Sequence, residues 1–302
     1  MSPRDVRTAA VACLVVNALV WGISWWPFKE LQARGVHPLW ATALVYALAM
    51  VSALLFARGG LRGLAQHPQL LWLALASGLT NIGFNWAVTI GDVVRVVLLF
   101  YLMPAWSALL AWLLMGERPT RASLLRVALS LAGVVIILKP ADAAWPWPSG
   151  AADWLALLGG FSFALTNLLL LKYNDTPSAA RMAAMFGGGA ALAAVAGTAG
   201  LLQGAMVPLP APDSQWLVLG LGLALAFLVG NLALQYGAAR LSAHTTALVM
   251  LSEVVFASVS SVALGASTFG MQIAVGAALI LAAAVWASWP APSAKSPAAQ
   301  GH

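Results

Sequence analysis

The chain has 302 residues, of which 62% are hydrophobic and 8% charged, with a mean hydropathy of +0.89 and a formal net charge of +6. A soluble domain is only about half apolar, so this composition excludes a water-soluble enzyme or binding module. The basic residues stand singly between apolar segments and form no stripe or cluster, which excludes a nucleic-acid partner and leaves a polytopic protein whose surroundings are the lipid bilayer.

Apolar runs bounded by charge, Pro or Gly fall at 10–29, 39–57, 70–90, 94–114, 122–138, 152–172, 179–202, 215–237, 245–264 and 269–289. About 20 apolar residues cross a hydrocarbon core of roughly 30 Å, so the runs predict ten transmembrane helices and an all-α membrane protein. Arg4 and Arg7 precede the first run, but it continues to about Phe28 without a small-residue cleavage site, so it reads as a retained helix rather than a signal peptide. The single cysteine, Cys13, lies inside that run and offers neither a disulfide nor a metal spacing. At mid-chain "AAWPWPSG", Ala143 to Gly150, reads as an outer linker with Trp145 and Trp147 in the membrane interface. The tail "PAPSAKSPAAQGH" after Trp289 is rich in Pro, Ala and Ser and reads as disordered.

With a cytoplasmic N-terminus, eleven of the fifteen Lys and Arg fall on the inner side and only Lys29, Arg34, Arg95 and Lys139 on the outer. This fits the positive-inside rule with both termini cytoplasmic, as for a multi-pass protein of a bacterial-type inner membrane. Sliding the sequence by 150 residues pairs Asn81 with Asn231, Asn85 with Gln235 and Trp86 with Tyr236. Carboxamides recurring at i and i+4 in the third helix of each half are a costly coincidence in so apolar a chain. Five helices per half is an odd number, so the second half enters the membrane upside down, the inverted repeat of many secondary transporters. The expected organisation is a first five-helix repeat over 1–142, a linker over 143–151, a second repeat over 152–289 and a cytoplasmic tail over 290–302.

Two stretches carry a resemblance. "WGISWWPFKEL", Trp21 to Leu31, resembles the first-helix signature of the drug/metabolite transporter superfamily, EamA type. "LMPAWSALLAWLLMGERPTRASLLRVALSLAGVVIIL", Leu102 to Leu138, is similar to the family's fourth and fifth helices: a Pro, an apolar run ending in Gly-Glu, a short turn and a close in Ala-Gly-Val. The second half departs from the pattern, because "ALGAS" lacks the Gly-Glu and no Pro follows Glu253. The resemblance implies two inverted five-helix bundles around a central cavity lined by helices one, three, four, six, eight and nine. It also implies export of amino acids or other small metabolites.

The residues that stand out are the polar ones at depth. Glu253 is the one charge between Thr245 and Leu264, where a charge costs at least about 2.5 kcal/mol. It is either glue between helices or a group that loads and releases a proton or a substrate's amine, because burial penalises its charged form. Asn81 and Asn85 share one helical face, as do Asn231 and Gln235; they serve interhelical hydrogen bonding or a substrate's polar groups. Asn17 and Trp21 repeat that spacing in helix one, and Thr166 and Asn167 sit in helix six. Trp21, Trp86, Tyr101 and Tyr236 could form an aromatic wall, whereas Trp25, Trp26 and Trp40 read as interface belt residues. Pro104 bends helix four and frees a carbonyl. Arg95, beside Asp92, reads as a surface ion pair or an outer gate.

No catalytic, metal-binding or phosphate-binding arrangement is present: the four His stand apart at predicted loops or ends, so neither an enzyme nor a cofactor is expected. An exporter of small molecules is favoured over a channel because the polar residues cluster at mid-depth. An intramembrane enzyme would need a constellation that Glu253 alone does not make. The substrate is not legible, and a monomer is compatible with the sequence.

Overall fold

The computed structural model describes residues 3–56, 59–116, 120–138, 147–238, 240–241, 249–250, 252–268 and 270–288. All regular structure among them is helical: α1 (Pro3–Ile23), α2 (Trp25–Ala33), α3 (Pro38–Phe56), α4 (Gly60–Gln66), α5 (Leu70–Ile90), α6 (Val93–Phe100), α7 (Met103–Met115), α8 (Arg121–Leu138), α9 (Ala151–Lys172), α10 (Ser178–Leu202), α11 (Ser214–Ala238), α12 (Ser252–Ala263) and α13 (Met271–Ser288). Seven helical stretches among the described residues are long and apolar enough to cross a membrane, and 124–137, 252–263 and 271–283 are shorter apolar helices. The mid-chain linker up to residue 146, the tail after 288 and residues 242–248 of the predicted ninth helix and the turn before it lie outside the described residues.

Two predicted helices are each broken in two. The first run is helical from Pro3 to Ala33 but interrupted at Ser24. Pro27 has no N–H to offer the carbonyl of Ile23, and the Ser24 hydroxyl instead donates to the carbonyl of Trp21 at 2.8 Å. The fourth run is interrupted at Tyr101 and Leu102, ahead of Pro104 in the first turn of α7. Pro104 leaves the Phe100 carbonyl without its helical donor. Any Cβ at Gly160 of α9 would lie 2.5 Å from that oxygen, so this carbonyl is turned onto a neighbouring helix rather than freed toward a cavity.

Caps end the pieces. Asp92 accepts the backbone N–H of Arg95 at 2.9 Å to start α6, and Asp213 accepts those of Gln215 and Trp216 at 2.8 Å to start α11. Gly116 after α7 and Gly265 after α12 both adopt φ near +70° (70° and 67°), the left-handed closure that glycine takes without strain. Cations settle on helix C-termini, where the dipole favours them: Arg181 donates to the Tyr173 and Thr176 carbonyls after α9, and Arg95 to that of Ile137 near the end of α8.

The helices interlock across the mid-chain linker. α5 packs chiefly on α9 and α10, α11 packs on α1 and α3, α10 on α3, and α8 on α13. Small residues make this possible: Gly188 of α10 lies so close on the Ala74 carbonyl of α5 that no side chain fits, and a Cβ on Gly83 would lie 2.9 Å from Gly159 Cα. The largest buried apolar cluster centres on α6, with Val96, Leu98 and Leu99 fully enclosed.

Candidate substrate site

Three groups predicted to be functional converge where the two helix breaks meet α12. Tyr101, at the break between α6 and α7, points its hydroxyl at Glu253 Oε2, 3.2 Å away. Gly22, two residues before the break at Ser24, lies directly on the backbone of Glu253; a Cβ there would be 2.8 Å from the Glu253 carbonyl oxygen. Asn17, one turn earlier on α1 and 1% exposed, donates its amide to the sulfur of Met250 at 3.4 Å. Its buried Oδ1 has no hydrogen-bond partner, and Gly230 of α11 packs against it, where a Cβ would lie 3.3 Å away. Glu253 is half-buried in the first turn of α12. An acidic oxygen and an unpaired carbonyl oxygen, both acceptors, therefore flank the break in α1.

An aromatic wall adjoins this cluster, with a different membership from that expected. Trp21 stacks on Phe227 of α11 with centroids 4.6 Å apart, and Phe227 in turn meets Tyr46 of α3 at 5.6 Å. Trp86 lies elsewhere, edge-on to His37 at 5.1 Å. Burial holds the His37 imidazole below its ordinary pKa. Tyr236 carries the Arg240 guanidinium on its ring face at 3.7 Å.

The carboxamides of α5 face α3. Asn81 accepts the Tyr46 hydroxyl at 2.7 Å and Asn85 donates to the Thr42 hydroxyl at 3.1 Å, both buried. Residues 42 and 46 oppose 85 and 81, so two i, i+4 pairs form an antiparallel polar ladder between helices. Asn85 Oδ1 remains without a partner. The structure thus divides the expected single lining into the Asn17, Trp21, Tyr101, Glu253 group and the Asn81, Asn85 ladder, with Phe227 and Tyr46 between them. Thr166 is buried but returns its hydroxyl to the Ser162 carbonyl of its own helix, and Asn167 is exposed with its amide 3.9 Å from the Met103 sulfur. Asn231 is half-buried on α11; the side chains of Gln235 and Pro104 lie outside those described.

At the other end of α6 the expected Arg95–Asp92 surface pair is replaced by a buried one. Asp92 is occupied as the cap, and Arg95 instead grips Asp153 of α9 through both carboxylate oxygens at 2.8 Å. Asp153, 5% exposed, also accepts the Ser149 N–H and hydroxyl. A lone Arg opening helix four and a lone Asp opening helix six, on one predicted side of the membrane, were the available signal. Trp25 likewise departs from the belt: it is 2% exposed and donates its indole N–H to Ser260 of α12 at 3.0 Å. Tyr46, Phe227 and Met250 were missed because apolar runs give no sign of which aromatic or thioether faces a polar partner. Among the described residues no three His, Cys, Asp or Glu side chains come together as a metal site.

Residues 8–139 match the model of the EamA-like transporter family. That stretch is similar to the EamA-like transporters. The chain is 30% identical to Protein RarD of Streptomyces exfoliatus over 164 residues, 51% of this chain and 49% of that one. It is 29% identical to the uncharacterized transporter YojE of Bacillus subtilis over 174 residues, 54% of this chain and 55% of that one. The chain spans about half the length of the curated relatives it matches. A solved crystal structure aligns over 93% of this chain and 96% of its own, with a TM-score of 0.57 and 21% identity, a likeness of fold alone. The chain is thus a multi-pass membrane protein whose first half is similar to a transporter family.

Proposed function

We propose that this chain is a secondary transporter that exports small metabolites, amino acids or related amphipathic compounds, across a bacterial-type inner membrane by alternating access. The observation that carries the reading is the convergence of Tyr101, Glu253 and the unpaired Asn17 Oδ1 on the two broken helices. The breaks themselves are satisfied within the protein, by Ser24 and by α9, so it is the side chains beside them that are left to meet a substrate. Two acceptors beside an aromatic wall suit a substrate with a cationic amine and an apolar body, the amine toward Glu253 and the body along Trp21 and Phe227.

The packing supports ten helices in two inverted five-helix repeats; in this reading the charge asymmetry of the loops places both termini in the cytoplasm. Treating α1 with α2, and α6 with α7, as single spans, the third helix of the first repeat packs on the first and second of the other, and the third of the second repeat does the same in return. Such an exchange is what a two-fold axis in the membrane plane produces. Glu253 then alternates between a proton and a substrate amine as the repeats rock, which couples export to proton entry.

Proteoliposomes loaded with labelled amino acids and amines test this, with export driven by an imposed pH gradient. The wild type is expected to export at least one amine-bearing compound faster with the gradient than without. Glu253→Gln, which keeps the shape, is expected to fold normally and lose that dependence or its amine preference. Wild-type rates, pH profile and selectivity in Glu253→Gln would overturn the coupling role, and gradient-independent flux in the wild type would assign a facilitator instead.

A further inference from the structure

Apart from the Glu253 group, an apolar groove opens on the surface of the described residues in the seam between α5, α7 and α9. Its walls are apolar: Trp72 and Leu79 of α5, Met115 at the end of α7, and Leu158, Phe161 and Leu165 of α9. α5 begins, α7 ends and α9 ends at the same side of the molecule, and there the lining closes with Lys172 and Tyr173. From Leu158 to Lys172 the groove follows fifteen residues of α9, about 21 Å at a rise of 1.5 Å per residue. One leaflet of a core roughly 30 Å thick is about 15 Å deep, so the groove is long enough to take an acyl chain from the headgroup to the bilayer centre.

The mouth carries a cation with no ion-pair partner among the described residues. Lys172 Nζ sits 5.9 Å from the Tyr173 ring centroid, and no carboxylate of a described residue pairs with it. The neighbouring cation, Arg181, is occupied by the carbonyls of Tyr173, Asn174 and Thr176. A flexible ammonium at the end of an apolar slot is the arrangement that receives a phosphate headgroup while the chain lies below it. The seam joins helices from either side of the mid-chain linker, α5 and α7 against α9. Ordinary boundary lipid contacts one surface, whereas a chain in this slot would touch both sets at once.

We propose that this seam is a binding site for an anionic phospholipid, with one acyl chain in the groove and its phosphate on Lys172. The site is separate from the transport reading above, and its test does not use transport. Trp72, 64% exposed and lining the groove, is the reporter. The full chain is reconstituted in phosphatidylcholine vesicles containing increasing fractions of phosphatidylglycerol or phosphatidylcholine with brominated chains. The Trp72 signal is taken as the difference between the wild type and Trp72→Phe. Brominated phosphatidylglycerol is expected to half-quench it at a mole fraction at least threefold lower than brominated phosphatidylcholine. Lys172→Gln should abolish that preference, and Lys172→Arg should keep it. Equal quenching by the two lipids in the wild type, a preference that survives Lys172→Gln, or a Trp72 signal insensitive to both would overturn the site.

Discussion

The two ends of α6 hold polar groups in an apolar setting and treat them in opposite ways. At its start, Arg95 and Asp153 satisfy one another twice over, and Ile137 and Ser149 take up further bonding capacity. At its end, Tyr101 offers Glu253 a single hydroxyl, and the nearby Asn17 Oδ1 has no donor at all. A charge pair bonded through both carboxylate oxygens is a fixed joint, and taking the arginine away leaves the buried Asp153 carboxylate stranded. An acceptor left open inside a protein costs stability unless something periodically fills it. The first region holds the helices together, and the second is the one proposed above to receive a substrate.

Breaking the fixed joint should have the largest effect on stability. Arg95→Ala strands the Asp153 carboxylate and is expected to cost roughly 3 kcal/mol, read as a fall in thermal midpoint of detergent-solubilised protein. Arg95→Ala combined with Asp153→Ala should recover part of that loss. If the double variant is no more stable than Arg95→Ala, the pair is not the joint described.

The receiving region should respond the other way round. Asn17→Leu removes an acceptor that has no donor, together with a weak bond to sulfur, so thermal stability is expected to stay within about 1 kcal/mol of wild type. Amine export should nonetheless fall at least tenfold. Loss of stability with unchanged export per folded molecule would reverse the assignment of the two regions.

The polar ladder between α3 and α5 sharpens the contrast as an intermediate case. Tyr46→Phe deletes one interhelical hydrogen bond to Asn81 and should cost about 0.6 kcal/mol, a small shift in thermal midpoint with export retained. A tenfold fall in export would move Tyr46 and Asn81 into the receiving region.

Much of the helical layout could be read in the sequence because a run of about twenty apolar residues has few alternatives in a bilayer. α5, α9 and α10 begin and end within a residue of the runs that predicted them. Pro27 and Pro104 were visible too, but proline alone does not say whether a helix bends or parts. The parting needed Ser24 to claim the Trp21 carbonyl and Gly160 to receive that of Phe100. The site was legible only in part. Glu253 and Asn17 stood out by polarity, and Asn81 and Asn85 share the face that their i, i+4 spacing predicts. What that face meets depends on which helices touch, and Thr42, Tyr46 and Asp153 are distant in sequence from the residues they satisfy.

The embedding of α5 has a consequence for how the chain is made. Its glycines Gly78 and Gly83 are covered by α10 and α9, whose residues follow the mid-chain linker. During synthesis α5 leaves the ribosome more than sixty residues before α9 begins. For that interval Asn81 and Asn85 have only α3 to bond, and the small-residue seam at Gly78 and Gly83 lies open to lipid or to whatever insertion machinery shelters it. Release from that shelter is then timed by the arrival of the second set of helices, so the first set is born waiting for its partner.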